Sequence, residues 1–142
     1  MTHEKRRLWL RAGSALVIAS GALIGLGAHP ATAELARLIA DLLFWPLDGV
    51  QTGNAEETRL LAAIGGGVMI GWGLMLWQLA GEGMNRAPEL SRRLIILSVL
   101  GWFLTDSAGS LAAGAPLNVL GNLVFLALFL VPLRTAPRVA TA

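Results

Sequence analysis

The sequence contains no cysteine and no tyrosine, and it carries few charges. The absence of cysteine excludes disulfides, thiolate metal sites, cysteine nucleophiles and iron–sulfur clusters. Only His3 and His29 offer an imidazole, and neither lies inside a long apolar run. With 55% hydrophobic and 14% charged residues and a mean hydropathy of +0.64, the chain is too apolar for an ordinary soluble domain. We therefore expect one all-α integral membrane domain over residues 1–142, surrounded by the lipid bilayer.

Positive charge is distributed unevenly along the chain, although the net charge is only +2. If the amino terminus is inside, nine Lys and Arg residues lie on the inner side and two, Arg37 and Arg59, on the outer side. The inner nine are Lys5, Arg6, Arg7, Arg11, Arg86, Arg92, Arg93, Arg134 and Arg138. The positive-inside rule then places both termini in the cytoplasm. Since topology accounts for the basic residues, we expect no nucleic-acid partner.

Four segments are long and apolar enough to be spans, because about 20 helical residues cross a bilayer core. We predict spans over about 9–28, 59–80, 94–112 and 116–133. The last two form a hairpin from Leu94 to Leu133 in which Asp106 is the only ionisable side chain. Ala113-Gly114-Ala115-Pro116 is the predicted turn, since glycine ends helices and proline suits a first helical position. The charged stretch 81–93 is expected to be a polar loop.

The first apolar run has two interpretations. Basic residues, an apolar run and Ala31-Thr32-Ala33 together resemble a signal peptide that is cleaved before Glu34. The run from Ala12 to Ala28 is longer than a usual signal-peptide core, and Gly21 and Gly25 give it a face suited to helix packing. We favour a retained first transmembrane helix.

A short amphipathic helix is predicted over about 33–45, between the first and second spans. Leu35, Leu38 and Leu42 recur on one side, together with Ile39 and Leu43, at helical spacing. The helix is too short and too charged to span. We expect it in the outer interface, with its apolar face packed as a lid on its own protein, or else meeting a partner.

The second span begins with a predicted capping box. Asn54 followed by Glu57 places the helix start near Ala55. Gly67 and Gly71, together with Ala63, form a small-residue face that another helix can approach closely. Arg59 lies on the same face and is expected to point toward a neighbouring helix.

Polar residues of the hairpin form the candidate site. Asp106 and Asn122 lie at similar depth, each about six residues from the turn, so the two helices can bring their polar faces together. A carboxylate at this depth costs several kcal/mol unless a partner holds it. An ion pair with Arg59 is one expected partner. The whole candidate cluster is Arg59, Asp106, Ser107, Ser110, Asn118 and Asn122.

Catalytic and cofactor motifs are weak in this sequence. Ser107 and Ser110 have no histidine or lysine at membrane depth to activate them, and no metal-binding or phosphate-loop motif is present. We expect no enzyme activity, no metal and no cofactor. The first hypothesis is an accessory or assembly protein that associates with itself or with another membrane protein. The alternative is an outward-facing binder or carrier of a small polar molecule or lipid that uses the Asp/Asn/Ser cluster.

Three stretches resemble small four-span bacterial inner-membrane proteins without a known activity. They are Leu42-Leu43-Phe44-Trp45-Pro46-Leu47-Asp48-Gly49, Ile64-Gly65-Gly66-Gly67, and Asp106-Ser107-Ala108-Gly109-Ser110 continued by Ala113-Gly114-Ala115-Pro116-Leu117-Asn118. The resemblance covers roughly residues 30 to 133. It implies a bacterial source, the inner membrane and a four-helix topology, and it implies no functional residues.

Overall fold

The computed structural model describes residues 1–134, and all of its regular structure is helical. Residues 135–142, with Arg138, lie outside the described part. The helices are α1 His3–Leu26, α2 Glu34–Phe44, α3 Glu56–Arg86, α4 Pro88–Ala112 and α5 Pro116–Arg134. All but α2 are long and apolar enough to cross a membrane, a pattern typical of multi-pass membrane proteins. We call the end of the bundle that holds α2 and the α4–α5 turn the α2 end, and the opposite end the basic end.

Helices α1 and α3 pack against each other in antiparallel orientation through glycine. A Cβ atom on Gly66 would lie 2.6 Å from the carbonyl oxygen of Gly21 and 2.6 Å from the amide nitrogen of Gly25. Further along, a Cβ atom on Gly73 would lie 3.0 Å from the amide nitrogen of Ile18. The backbones therefore approach so closely that only glycine fits at Gly66, which is the packing that small residues permit in membranes.

The predicted small-residue face of α3, with Gly67 and Gly71, contacts no other helix within residues 1–134. Gly67 and Gly71 are exposed, and a Cβ atom on either would meet nothing within 4 Å. Buried small residues of α3 instead include Gly66, Gly73 and Ala80, at intervals of seven. A helix presents successive residues about 100° apart, so Gly67 faces away from the neighbour that Gly66 touches.

The hydrophobic core lies toward the basic half of the bundle, where four helices meet. Its buried side chains are Leu10, Val17, Leu76, Ala80, Met84, Ile95, Val99, Phe129 and Leu133. Half-buried aromatic rings continue it, with the Trp72 and Trp102 centroids 5.6 Å apart and Phe125 6.1 Å from Trp102. Helix α1 supplies Leu10 and Val17, so it is part of the core.

The stretch 81–93 is helical almost throughout, which corrects the predicted loop. Helix α3 continues through a π-turn at Leu79–Gly83 to Arg86, and only Ala87 separates it from α4. Charge predicted a loop here, but Ala80, Gly81 and Met84 are buried against the bundle. A Cβ atom on Gly81 would collide with the guanidinium of Arg11, and one on Gly83 would lie 2.6 Å from Ser91 Oγ. Tertiary packing therefore overrides the local polar pattern.

Arginine side chains at the basic end bind the last carbonyl groups of α5. Arg6, which is 4% exposed, donates from Nε to the carbonyl oxygen of Pro132 at 3.0 Å. Arg92 donates from Nε to the carbonyl oxygen of Leu133 at 3.2 Å. A helix carboxyl end carries partial negative charge and unpaired carbonyls, so cations stabilise it. The sequence analysis treated these arginines as a topology signal alone and missed this role.

Candidate functional site

The polar residues of the α4–α5 hairpin form one hydrogen-bonded cluster. Oδ1 of Asp106 accepts hydrogen bonds from Nδ2 of Asn118 at 2.7 Å, Nδ2 of Asn122 at 2.8 Å and Oγ of Ser110 at 3.1 Å. Asn118 also donates to Oγ of Ser110 at 2.7 Å, and Asn122 to Oγ of Ser107 at 3.2 Å. Both asparagine amides thus hold α5 against α4.

Local sequence explains why these side chains meet. Gly114 adopts φ +80°, which L side chains rarely adopt, and Pro116 then begins α5 at once. The short turn places Asp106 and Asn122 level with each other. Ser110 lies one turn above Asp106, and its hydroxyl also donates to the Asp106 carbonyl oxygen at 2.8 Å. The polar side chains of the two helices therefore meet across the hairpin, at Asp106, Asn118 and Asn122.

Arg59 is not part of this cluster. The predicted ion pair between Arg59 and Asp106 does not form within residues 1–134. Its guanidinium lies 3.9 Å from Glu56 on the same helix, and within residues 1–134 it forms no ion pair with Asp106. The reason is the packing of the bundle. Near its amino end α3 lies along α1, and its contacts with α4 come farther along the helix, at Trp72 and in the π-turn. Arg59 therefore starts too far from the α4–α5 hairpin.

A second candidate site is a cavity of about 520 Å³ at the α2 end. Its walls are the last turn of α1, one side of α2, the loop 50–55 and the first turns of α3. Most of the lining is apolar, and the polar part includes Arg37 and Gln51. The sequence analysis did not find this cavity, because its walls come from four separate stretches.

The apolar face of helix α2 is oriented differently from the prediction, in which it packs as a lid on the protein. Leu35, Leu38 and Leu42 are exposed, whereas Ile39 and Leu43 line the cavity, so the apolar face is divided between two surroundings. The charged side of the helix is drawn inward, with Arg37 half-buried. Within residues 1–134, Leu35, Leu38 and Leu42 therefore remain exposed and do not pack as a lid.

Asp41 shapes the loop that closes the cavity. It is 7% exposed, and both of its carboxylate oxygens accept the amide N–H of Gly49 at 3.1 Å. Gly49 has φ +75°, a conformation that glycine adopts without strain. Asp48 Oδ1 accepts the amide N–H of Val50 at 3.1 Å. These two bonds set the course of the chain into the loop 50–55.

Two buried polar atoms at the cavity have no hydrogen-bond partner among the described residues. They are Nε of Arg37 and Oε1 of Gln51. Buried polar groups are almost always paired, so each such atom requires a physical explanation. The only sequence signal for this site is the presence of Arg37, one of two basic residues predicted on the outer side.

The start of α3 also differs from its prediction in one detail. The helix begins at Glu56, close to the predicted position. Ala55 occupies the N-cap position, so no cap side chain accepts a hydrogen bond from the first turn. Asn54 lines the cavity instead. The residue expected to cap the helix is thus part of the cavity wall.

Neither a metal site nor a match to known proteins assigns a function to the described residues. Within residues 1–134 no group of three or more His, Cys, Asp or Glu side chains is placed to hold a metal ion. No family model matches the chain, and no curated protein and no solved structure matches it.

Proposed function

We propose that this chain is a non-enzymatic protein of the bacterial inner membrane that acts by helix association, with a second copy of itself or with another membrane protein. The observation that carries the proposal is the exposed face of α3. Gly67 and Gly71 meet nothing within 4 Å. Each glycine costs a helix about 1 kcal/mol relative to alanine, and no contact within residues 1–134 offsets this cost. A partner helix that approaches closely would offset it.

Topology in this proposal follows the positive-inside rule. The described basic residues at the basic end outnumber those at the α2 end, where Arg37 and Arg59 lie. The basic end then faces the cytoplasm and carries both termini. Helix α2, with its exposed leucines, lies in the outer interface. Helix α1 is retained as a transmembrane helix, since Leu10 and Val17 belong to the core.

The experiment is native mass spectrometry of the purified protein, together with the variant Gly67→Ile/Gly71→Ile. We expect a stoichiometric complex from the wild type and its loss in the variant. The matched control is Gly101→Ile/Gly109→Ile, because these exposed α4 glycines also meet nothing within 4 Å. A wild-type protein that is monomeric and has no stoichiometric protein partner would overturn the proposal.

A second candidate is an outward-facing binder or carrier of a small polar molecule or lipid at the Asp106 cluster. It is favoured by one observation, that Oδ2 of Asp106 accepts no hydrogen bond from residues 1–134 while the residue stays half-buried. In this candidate Asp106→Asn keeps the fold and loses a small molecule that the wild type retains through purification. If the retained mass is unchanged in Asp106→Asn, the cluster serves helix packing.

A further inference from the structure

The cavity at the α2 end has the size and lining of a ligand site, and it is separate from both candidate functions above. Its volume, about 520 Å³, lies within the range of small-molecule sites, which are mostly apolar with a few placed polar groups. Leu23, Ile39 and Leu43 contribute to the apolar wall. An apolar chain would fit against such a wall by simple burial.

Arg37 provides the cavity with a positive charge that forms no ion pair within residues 1–134. It is the one charged side chain lining the cavity in the described part of the molecule, and it forms no ion pair there. Its Nε is buried and has no acceptor. The carboxylate of Asp41, one helical turn after Arg37, and that of Asp48 both accept backbone N–H groups of the loop. A buried Nε–H without an acceptor is costly, and an anionic ligand would supply both that acceptor and a charge-assisted hydrogen bond.

Gln51 adds a second requirement to the ligand. Its Oε1 is buried without a donor, and it lines the same cavity as Arg37. An oxygen acceptor of this kind is satisfied by a hydroxyl hydrogen. The cavity therefore combines an apolar wall, a cation with a free N–H and a free acceptor.

From these three features we infer that the cavity binds a lysophospholipid, a phospholipid with a single acyl chain. The phosphate lies at Arg37, a glycerol hydroxyl donates to Gln51 Oε1, and the acyl chain fills the apolar wall. This step rests on the topology proposed above, in which the exposed Leu35, Leu38 and Leu42 of α2 lie in the outer interface, at the depth of such head groups.

The test uses the full chain in a maltoside detergent and four probes that separate the features of the ligand. The main probe is lauroyl-lysophosphatidic acid. Monolauroylglycerol has the same chain and glycerol but no phosphate, dodecyl phosphate lacks the glycerol hydroxyl, and glycerol phosphate lacks the chain. Binding is measured by native mass spectrometry and by the shift of Tm. We expect the first probe to bind best, monolauroylglycerol to bind about tenfold more weakly, and glycerol phosphate to give no shift.

Variants then assign the binding to the cavity. Arg37→Gln should weaken binding of the main probe about tenfold and leave monolauroylglycerol unchanged. The matched control Arg59→Gln removes the other basic residue of the α2 end, which does not line the cavity, and should change neither. Gln51→Leu should bring the main probe down to the affinity of dodecyl phosphate.

A variant that fills the cavity keeps the test decisive if Arg37→Gln does not fold. Ala40→Leu adds volume inside the cavity and should weaken both acyl probes, whereas Ala112→Leu, exposed at the same end and outside the lining, should weaken neither. Equal affinity for lauroyl-lysophosphatidic acid and monolauroylglycerol would overturn the inference. The same holds if Ala40→Leu leaves both affinities unchanged, or if Arg59→Gln matches Arg37→Gln.

Discussion

Asn122 on α5 donates a 2.8 Å hydrogen bond to Oδ1 of Asp106 on α4, and the second N–H of the same amide reaches Ser107. The bond joins residues sixteen positions apart in an apolar hairpin. Interhelical hydrogen bonds in membrane bundles average about 0.6 kcal/mol, and bonds to a charged group contribute more. This pair is therefore expected to stabilise the hairpin.

A double-mutant cycle on Asp106 and Asn122 measures this contact. Asp106→Leu and Asn122→Leu should each lower the free energy of unfolding by about 1–3 kcal/mol, because each leaves polar partners unpaired. The double variant should lose at least about 0.5 kcal/mol less than the sum of the two. Reversible unfolding in mixed micelles gives all four values.

Arg59 supplies the control for that cycle. An Asp106–Arg59 ion pair would make the double variant recover stability, because neither charge would then be left unpaired. With Arg59 next to Glu56 instead, Asp106→Leu and Arg59→Leu should be additive within about 0.5 kcal/mol. Recovery of stability in this double variant would mean that the two side chains do interact.

Adjacent glycines of α3 provide a second prediction. Gly66→Ala places a methyl group against the backbone of α1 and should cost about 1–3 kcal/mol, as overpacking does. Gly67→Ala, its neighbour in sequence, meets open space within residues 1–134, so in the monomeric protein, with no partner helix on that face, it should cost nothing or stabilise the helix slightly. Thermal unfolding of the two variants in one detergent compares them directly. Equal losses would argue against the α1–α3 contact.

Arg6 at the basic end gives a third prediction. Arg6→Leu removes a buried charge-assisted hydrogen bond to the carbonyl of Pro132 and should lower the unfolding free energy by about 1–3 kcal/mol. Lys5→Leu, exposed one position earlier, should change it by less than about 0.5 kcal/mol. The check is the same unfolding assay. If Lys5→Leu matches Arg6→Leu, the loss comes from net charge and not from the helix end.

Retention of α1 is the fourth prediction. A cytoplasmic-type reporter fused after Ala142 should be active, and amino-terminal sequencing of the mature protein should begin near Met1 or Thr2. The physical reason is that removing α1 would uncover Gly66 and Gly73 of α3 and take Leu10 and Val17 out of the core. Recovery of a protein that starts at Glu34 would leave three spans and refute the prediction.

The four long helices and the hairpin turn could be predicted because they depend on composition and on single residues such as Gly114 and Pro116. The meeting of Asp106 with Asn122 could be predicted because both positions are counted from that turn. Which glycine of α3, Gly66 or Gly67, packs against α1 could not be predicted, since α3 has glycine on several sides and only the position of α1 decides which one is in contact. The cavity could not be predicted either, because Arg37 and Gln51 line the same cavity only after α2 and the loop that follows it have folded.

Because of the π-turn at Leu79–Gly83, the packing of α3 depends on the number of residues in the helix as well as on their identity. A π-turn amounts to one residue inserted into an α-helix. Deleting any one residue from it would restore regular α-helix and rotate everything beyond by about 100°. Met84 would then leave the core, and Gly83 would no longer face Ser91. Substitutions at exposed Glu82 should be tolerated, whereas deletion of the same residue should misalign α3 with α4.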